Sequence, residues 1–597
     1  MANIPKKPDF AFIPSSSKES KAYSILPTNG DGDFTFYRNS TTTRVNKDGQ
    51  LESWPKNLLS YSQDFSNAAW SKTGITVTHN DTLAPDGTMT ADKVVFSGAN
   101  QSINQQILLF NLGVCAHTIY VKGTPGETIY IEDGYIAIPN VTLTGEWQKI
   151  TWMSDRGSGQ YQGLAVGTYN SVTARTIWIW GAQLERSFSP TSYLPTTTRL
   201  NLPTIDYTDG GPALLLNPER TNLVTYSQDF ANAAWTKQNS STVESNKIIA
   251  PDGTLTGTQL NVPISGTYSG VYITLSASSA IYTISFFVKK GTKRWFNIVD
   301  PAGQAGRAWF DLDLGILGTV AAGYTATMTH VNNGWYRCSL TNTSSQSIAY
   351  TQCGVSDADN SITRSSAGYI YIWGAQAEVG ANASSYIPTI GSTVTRVLEG
   401  GTTNFIPKSN RVTVYAEFKL EATGDNVALY GFRPSGVGYT ASNIYYLYLW
   451  GGDSNKFGFN TANNDSYGIT NSTVANGKYH KVVAVFDYTN FANNELYIDG
   501  VKQTISQVRG TTLQITTKNN FSTLYAQGTT SSAEDPRISY REIYIWDTEL
   551  TDAECIDLTS QQTSVKNIVN EYKQFVQGSG GVLETENNFA GIIQSLK

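Results

Sequence analysis

The sixteen residues NLLSYSQDFSNAAWSK at 57–72 return as NLVTYSQDFANAAWTK at 222–237, with twelve positions identical. The duplication runs well past this opening string. Each copy continues into an Ala-Pro-Asp-Gly-Thr turn, from Ala84 to Thr88 and from Ala250 to Thr254. Each closes on an apolar run, WIWGAQLE at 178–185 or YIWGAQAE at 371–378, and leaves through a Tyr-apolar-Pro-Thr tetrapeptide ending at Thr196 or Thr389. A unit of about 150 residues is too long for a solenoid repeat, so this is a tandem of whole domains. The copies differ in length: corresponding positions are 165 apart at the opening motif (57 and 222) but 193 apart at the closing tryptophans (180 and 373). The second copy therefore carries an insertion, which falls between the equivalents of Lys122 and Trp180.

A length of 597 residues leaves room for roughly three to five domains. Gly, Ser, Thr, Asn and Tyr are abundant and long Ala/Leu/Glu/Lys runs are missing, which predicts many short strands and an all-β chain. The net charge of −6 is spread without a basic stripe, so no nucleic-acid partner is expected. No stretch of 18 apolar residues occurs and the N-terminus lacks an apolar signal core, so neither membrane insertion nor a secretory leader is expected. Four cysteines do not make a disulfide framework. Cys338 and Cys353 face each other if a hairpin turns near Ser345, and are free thiols otherwise; synthesis in the cytoplasm is the simplest reading.

In chain order, residues 1–56 read as an extended arm, since Pro5, Pro8 and Pro14 forbid a regular start. Asn29, Asp31 and Asp33 have calcium-loop spacing, but Phe34 and Ser40 stand where that loop needs Gly and Glu, so a plain turn is expected. Residues 57–198 form the first sandwich, 199–220 a Pro/Gly-rich linker and 221–397 the second sandwich. From 398 to 560 a different sandwich is expected, with an Asp499-Gly500 hairpin turn and a short helix capped by Thr551 and Glu554. Residues 561–597 carry apolar side chains at helical spacing and read as a short α-helical tail that packs on the third sandwich or on another protomer.

The strings GDFTFYRNSTTTRVNKDG (32–49) and NLPTIDYTDGGPALLLNPERTNLVTYSQDF (201–230) resemble a recurrent module of tailed-bacteriophage tail-fibre and other virion-surface proteins. In that family a TRVN-x-x-G segment runs directly into P-x-x-DY and then P-x-LLLEP-x-RTNL. Here the whole first repeat stands between Gly49 and Pro203, and Asn217 replaces the usual Glu. The repeats are similar to jelly-roll carbohydrate-binding modules. The third domain resembles laminin-G/concanavalin-A-like lectins through Tyr479-His480, ELYIDG (495–500) and LTDAEC (550–555).

None of the GxSxG, HExxH, CxxC or GxxxxGK motifs is present, and the four histidines are scattered. Structural calcium is the one cofactor the jelly-roll resemblance brings in, with Asp64, Asp86 and Asp92 as oxygen donors in the first copy and Asp229 and Asp252 in the second; Asp86 and Asp252 also have an ordinary role in their Pro-Asp-Gly turns. Sugar recognition stacks aromatic rings on pyranose faces. Aromatics kept in both copies (Trp70/Trp235, Tyr61/Tyr226, Trp180/Trp373, Tyr193/Tyr386) read as core. Those in one copy are the carbohydrate-binding candidates: Tyr135 and Tyr161, and Trp295, Trp309 and Tyr324; Tyr446 and Trp450 join them from the aromatic run of the third domain.

Together the resemblances imply a virion protein, a tail fibre or capsid decoration, acting as a non-enzymatic adhesin for host-surface polysaccharide. A homo-oligomer such as a trimer is expected, with the N-terminal arm docked to other virion proteins. The rival readings are a purely structural capsid or tail-assembly protein and a polysaccharide depolymerase.

Overall fold

The computed structural model describes the chain from residue 6 to residue 560, apart from 15–16, 19–20, 38–41, 55–56, 110–113, 134–139, 156–159, 169–173, 187–189, 191–192, 198–202, 300–306, 397–398, 422–426, 434–443, 451–455, 462–466, 474–476, 510–517 and 526–536. The helical tail expected over 561–597 lies outside the described residues. The described chain is all-β, with antiparallel sheets forming sandwiches and a single α-helix, Asp552–Ser560. It divides into two compact units: residues 51–201 with 245–257, which hold the first repeat, and the remainder. Among the described residues no helix is long and apolar enough to cross a membrane.

The third sandwich is assembled from three separated stretches. In Arg411–Leu420 the alternation turns Val412, Val414, Ala416, Phe418 and Leu420 inward, where they share one core with Leu429, Tyr445, Leu447 and Phe457 of the ten-stranded sheet. In the eight-stranded sheet Ile538–Trp546 pairs with Arg411–Leu420 on one side. Two distant segments take its other side. Phe10–Phe12 pairs with its end (Phe10 opposite Ile545), and Ala213–Leu216, hairpinned to Thr204–Asp206, pairs with its start (Leu215 opposite Ser539). On the ten-stranded sheet Phe34–Tyr37 pairs with Gly400–Thr402.

Two sequence expectations are corrected here. The stretch read as an extended arm and the stretch read as a linker both contribute strands to this sandwich, and the alternation of residues 33–38 is the strand Phe34–Tyr37. An unpaired edge is a liability that a short strand removes. Phe10 and Phe12 are also fully buried, with Phe10 5.9, 5.6 and 5.5 Å from the rings of Phe34, Phe405 and Phe521. Each such burial stabilises by roughly 1.5–3 kcal/mol, far more than an extended tether gains in solvent. Pro8 and Pro14 flank the strand instead of interrupting it, a position edge strands tolerate. The Asn29 to Asp33 stretch is the expected turn: Asn29 Oδ1 accepts from Asp31 N at 3.1 Å and Asp33 Oδ1 from Ser24 N at 2.9 Å.

The first repeat stacks two five-stranded sheets and the second two six-stranded ones. The insertion makes the difference. One sheet continues beyond Trp295–Val299 through Arg307–Asp311 to a sixth strand, Ile316–Val320, and the other gains Tyr324–His330 beyond Trp335–Asn342.

Where the copies share sequence they share contacts. Asn57 donates to the carbonyls of Ala182 and Leu194 and accepts from Leu59 N; Asn222 does the same with Ala375, Ile387 and Val224 N. Trp70 and Trp235 are buried, each 4.7 Å from its phenylalanine (Phe65, Phe230) and each donating Nε1–H to a tyrosine carbonyl. Tyr193 and Tyr386 share hydrogen bonds of 2.7 Å with Ser62 and Ser227. A bulge interrupts the same strand pair in both copies, at Gly181 (φ +65°) and Gly374 (φ +60°). The repeated motif is scaffold, as its recurrence suggested.

Cys338 and Cys353 are free and buried. They sit in opposing sheets, because the turn near Ser345 passes from Trp335–Asn342 in one layer to Gln346–Ser356 in the other. Burial pushes both thiols well up, out of the reactive range.

Candidate glycan-binding face

The calcium expectation meets a mixed outcome. Asp64 and Asp92 do converge, and His79 joins them, the three ligand-type atoms lying within 4.8 Å of one another. Their oxygens are already engaged. Asp92 accepts from Phe65 N (2.7 Å) and Asn80 N (2.8 Å), with His79 Nδ1 at 2.8 Å. Asp64 Oδ1 accepts from Ser66 N, Ser66 Oγ and Asn67 N. Calcium takes six to eight oxygen ligands, and a carboxylate pair facing N–H donors and an imidazole does not supply that shell. The cluster is a hydrogen-bond hub that ties the Asp64 turn and Asn80 to the strand Ala91–Phe96; burial raises the Asp92 carboxyl against the pull of these donors.

Asp86 and Asp252 close their own turns, each accepting from the threonine N–H two residues on at 3.0 Å. Asp229 accepts from Asn232 N. In the second copy the position of Asp92 is Thr258, so that hub is not repeated.

The stacking candidates scatter. Tyr135 lies outside the described residues. Tyr161 and Trp450 fall in the strands Gln160–Thr168 and Tyr445–Trp450, but their side chains are likewise outside them. Tyr446 is buried at 2% exposure in the third sandwich, so as a stacking platform it is corrected: its ring has no open face. Tyr324 is half-buried on the other sheet of the second repeat, 3.3 Å from Gln346 Oε1. Trp295 and Trp309 remain, and they share one face.

That face follows from the pleat. In Trp295–Val299 and Arg307–Asp311 the residues Phe296, Ile298, Ala308 and Phe310 point into the core, as do Cys353 and Val355 of Gln346–Ser356. The alternate residues Trp295, Asn297, Arg307, Trp309, Gln352 and Gly354 therefore occupy the outer side. Asn297 stands between Gly354 on one neighbouring strand and Trp309 on the other. The Tyr268 ring lies on Gly354: a Cβ there would meet the phenolic oxygen at 2.5 Å, so no other residue fits. The Arg307 guanidinium is 5.2 Å from the Tyr268 ring centre and 5.6 Å from that of Trp309. Gln352 donates to Gln238 Oε1 beside them.

The cluster is recessed. Trp309 is 6% exposed with Nε1–H bonded to Ser361 O (2.8 Å), so its expected role as an open stacking platform is corrected to that of a wall. Trp295, half-buried, forms the rim, with the Arg294 guanidinium 5.6 Å from its ring centre. Asn297 is fully buried, yet neither Oδ1 nor Nδ2 has a hydrogen-bond partner, and Arg307 Nε has none. Burial pushes the Tyr268 phenol up and the Arg307 guanidinium down. An aromatic wall beside an amide and a guanidinium with unmet hydrogen-bonding capacity is the arrangement that sugar rings and their substituents satisfy.

Reading the sequence found the two tryptophans and missed Asn297, Arg307, Tyr268 and Gln352. The signal was present in part: in WFNIV and RAWFD the polar residues alternate with inward-facing apolar ones.

Residues 392–555, which hold much of the third sandwich, match the family described as the concanavalin A-like lectin/glucanases superfamily. No curated protein matches the sequence. Among solved structures, the tandem CBM22 pair from Paenibacillus barcinonensis Xyn10C is 12% identical with a TM-score of 0.18, covering 52% of this chain and 92% of its own. The CBM40 of Ruminococcus gnavus IT-sialidase, bound to α2,3-sialyllactose, is 16% identical with a TM-score of 0.20 over 25% of this chain and 83% of its own. Domains LG4-5 of the mouse laminin α1 chain are 12% identical with a TM-score of 0.16, covering 48% and 88%. Likeness at this level leaves the site to be judged on its own residues.

Proposed function

We propose that this chain is a glycan-binding protein of a virion surface, a tail fibre or decoration that attaches to host polysaccharide without cleaving it. The observation that carries the glycan reading is the recessed face of the second repeat, where Asn297 and Arg307 keep unmet hydrogen-bonding groups beside Tyr268 and Trp309. The lectin-type match over 392–555 supports it. The virion setting is supported by the phage-type strings at 32–49 and 201–230. In this reading the N-terminal stretch, whose strands within residues 10–37 belong to the third sandwich, docks to other virion proteins, and a homo-oligomer, most simply a trimer, supplies avidity from weak sites.

The test is a glycan array with the full chain, run beside an assay for new reducing ends. Binding to a defined set of bacterial surface polysaccharides without reducing-end release is the expected result. Complete failure to bind sinks the adhesin reading in favour of a structural role, and reducing-end release replaces it with depolymerisation.

A further inference from the structure

Arg307 is a cation on this face with no carboxylate to answer it. It is 8% exposed, and among the described residues none forms an ion pair with it. The nearest candidate on its own strand is spoken for: Asp311, four residues on, accepts from Arg294 Nε at 2.7 Å, and that contact holds its carboxyl below the usual range. Lys293 is likewise matched with Asp357 at 2.5 Å. Lys293 and Arg294 are thus paired off, while the guanidinium between Tyr268 and Trp309 has no carboxylate partner among the described residues.

A buried, unpaired charge is destabilising, and so is a buried amide without partners. Two such groups sit on neighbouring strands of one face, with Val299 opposite Arg307 and Asn297 opposite Trp309. A guanidinium is a planar fork of N–H donors whose natural complement is a carboxylate, bound by two parallel hydrogen bonds. Flanking rings hold the fork in one plane and lower the local dielectric, which strengthens a charge-assisted bond.

We infer that the second repeat recognises a carboxylate-bearing sugar, with Arg307 gripping the carboxylate between the walls formed by Tyr268 and Trp309. This rests on the glycan-binding reading and narrows it to acidic polysaccharides. The net charge of −6 makes it a sharp claim, because the chain as a whole repels polyanions and only a local cation in a fitted site overcomes that.

The experiment compares binding of the full chain to a glucuronate-containing oligosaccharide and to its methyl ester, which differ only in the charge of one group. The acid is expected to bind about 10- to 100-fold more tightly, the range of a buried charge-assisted hydrogen bond. Arg307→Gln removes the preference; Arg307→Lys, which keeps the charge but not the fork, restores part of it. Without ligand, the unfolding midpoint of Arg307→Gln is expected to equal or exceed that of the unsubstituted protein, since an unpaired buried charge has been removed. Equal binding of acid and ester, or an undiminished preference in Arg307→Gln, overturns the inference while leaving glycan binding intact. Binding of neither, alongside binding of neutral glycans on the array, overturns it too; binding of no glycan at all removes both readings.

Discussion

Asn57 and Asn222 show how single residues hold this chain in shape. Each shares its amide among two carbonyls and a backbone N–H, a set of contacts that only an asparagine-sized amide makes and that recurs in both copies. Glu542 shows the opposite case, a half-buried group whose charged form its surroundings do not favour. It lies directly opposite Glu417 on the neighbouring strand, and Arg541 is engaged with Glu417 at 3.2 Å. Burial, with the Glu417 charge adding to it and Lys481 and Arg541 opposing, pushes Glu542 up to about 8 from the 4.5 of an ordinary glutamate. The folded state therefore holds a proton that the unfolded chain gives up near pH 4.5. The contribution is fully present below that pH and is lost as pH rises through about 8. Glu542→Gln is expected to flatten this slope and to raise stability at pH 8 relative to the unsubstituted protein; denaturant midpoints at pH 5 and pH 8 measure it, and an unchanged slope rules the assignment out.

At the scale of elements, what could be read from the sequence was what local chemistry encodes. The Asp499-Gly500 turn takes positive φ at both residues (+48° and +85°), the two-residue hairpin geometry that Asp-Gly favours. The helix Asp552–Ser560 begins with the expected reciprocal cap: Glu554 Oε2 accepts from Thr551 N at 2.8 Å, and Thr551 Oγ1 accepts from Glu554 N at 3.3 Å. Beneath it Cys555 and Leu558 pack with Tyr415, Val483 and Trp546 on the outer side of the eight-stranded sheet. Thr551→Ala is accordingly expected to cost about 1 kcal/mol in a denaturant titration, the usual worth of such a cap. The strand Phe10–Phe12 was illegible for a physical reason. Three residues are too few to show a period, the flanking prolines argue locally for extended chain, and the partner that makes it a strand, Ile543 to Ile545, lies more than five hundred residues away. The recessed site was half legible by the same logic: tryptophans stand out in composition, whereas Asn297 and Arg307 become notable only once Tyr268 and Gly354 are folded against them.

At the scale of the molecule, the first repeat is an insertion along the chain, since segments on both sides of it contribute strands to the third sandwich. The stretches on either side of the first repeat are hydrogen-bonded to each other, Tyr207 N donating to Val45 O at 3.0 Å. Arg44 donates to Ile205 O at 2.9 Å, and Val45 N donates to Asp206 Oδ2 at 2.8 Å. An insertion whose two ends meet places little strain on its host, which is the condition under which whole domains are gained and lost. Its own core, from Leu59 through Trp70 to Leu184, is drawn from residues of that repeat alone. Joining Gly49 directly to Pro203 re-creates the uninterrupted order of the phage module that the sequence resembles, so removal of 50–202 is expected to leave a soluble, β-rich protein whose thermal midpoint lies within a few degrees of the parent's. The second repeat and its recessed face stay in that shortened chain, and its glycan binding is expected to persist. Circular dichroism with thermal melting tests the first point and the acid-sugar titration the second. A shortened chain that aggregates or melts without cooperativity shows that the rest of the chain needs the first repeat to fold.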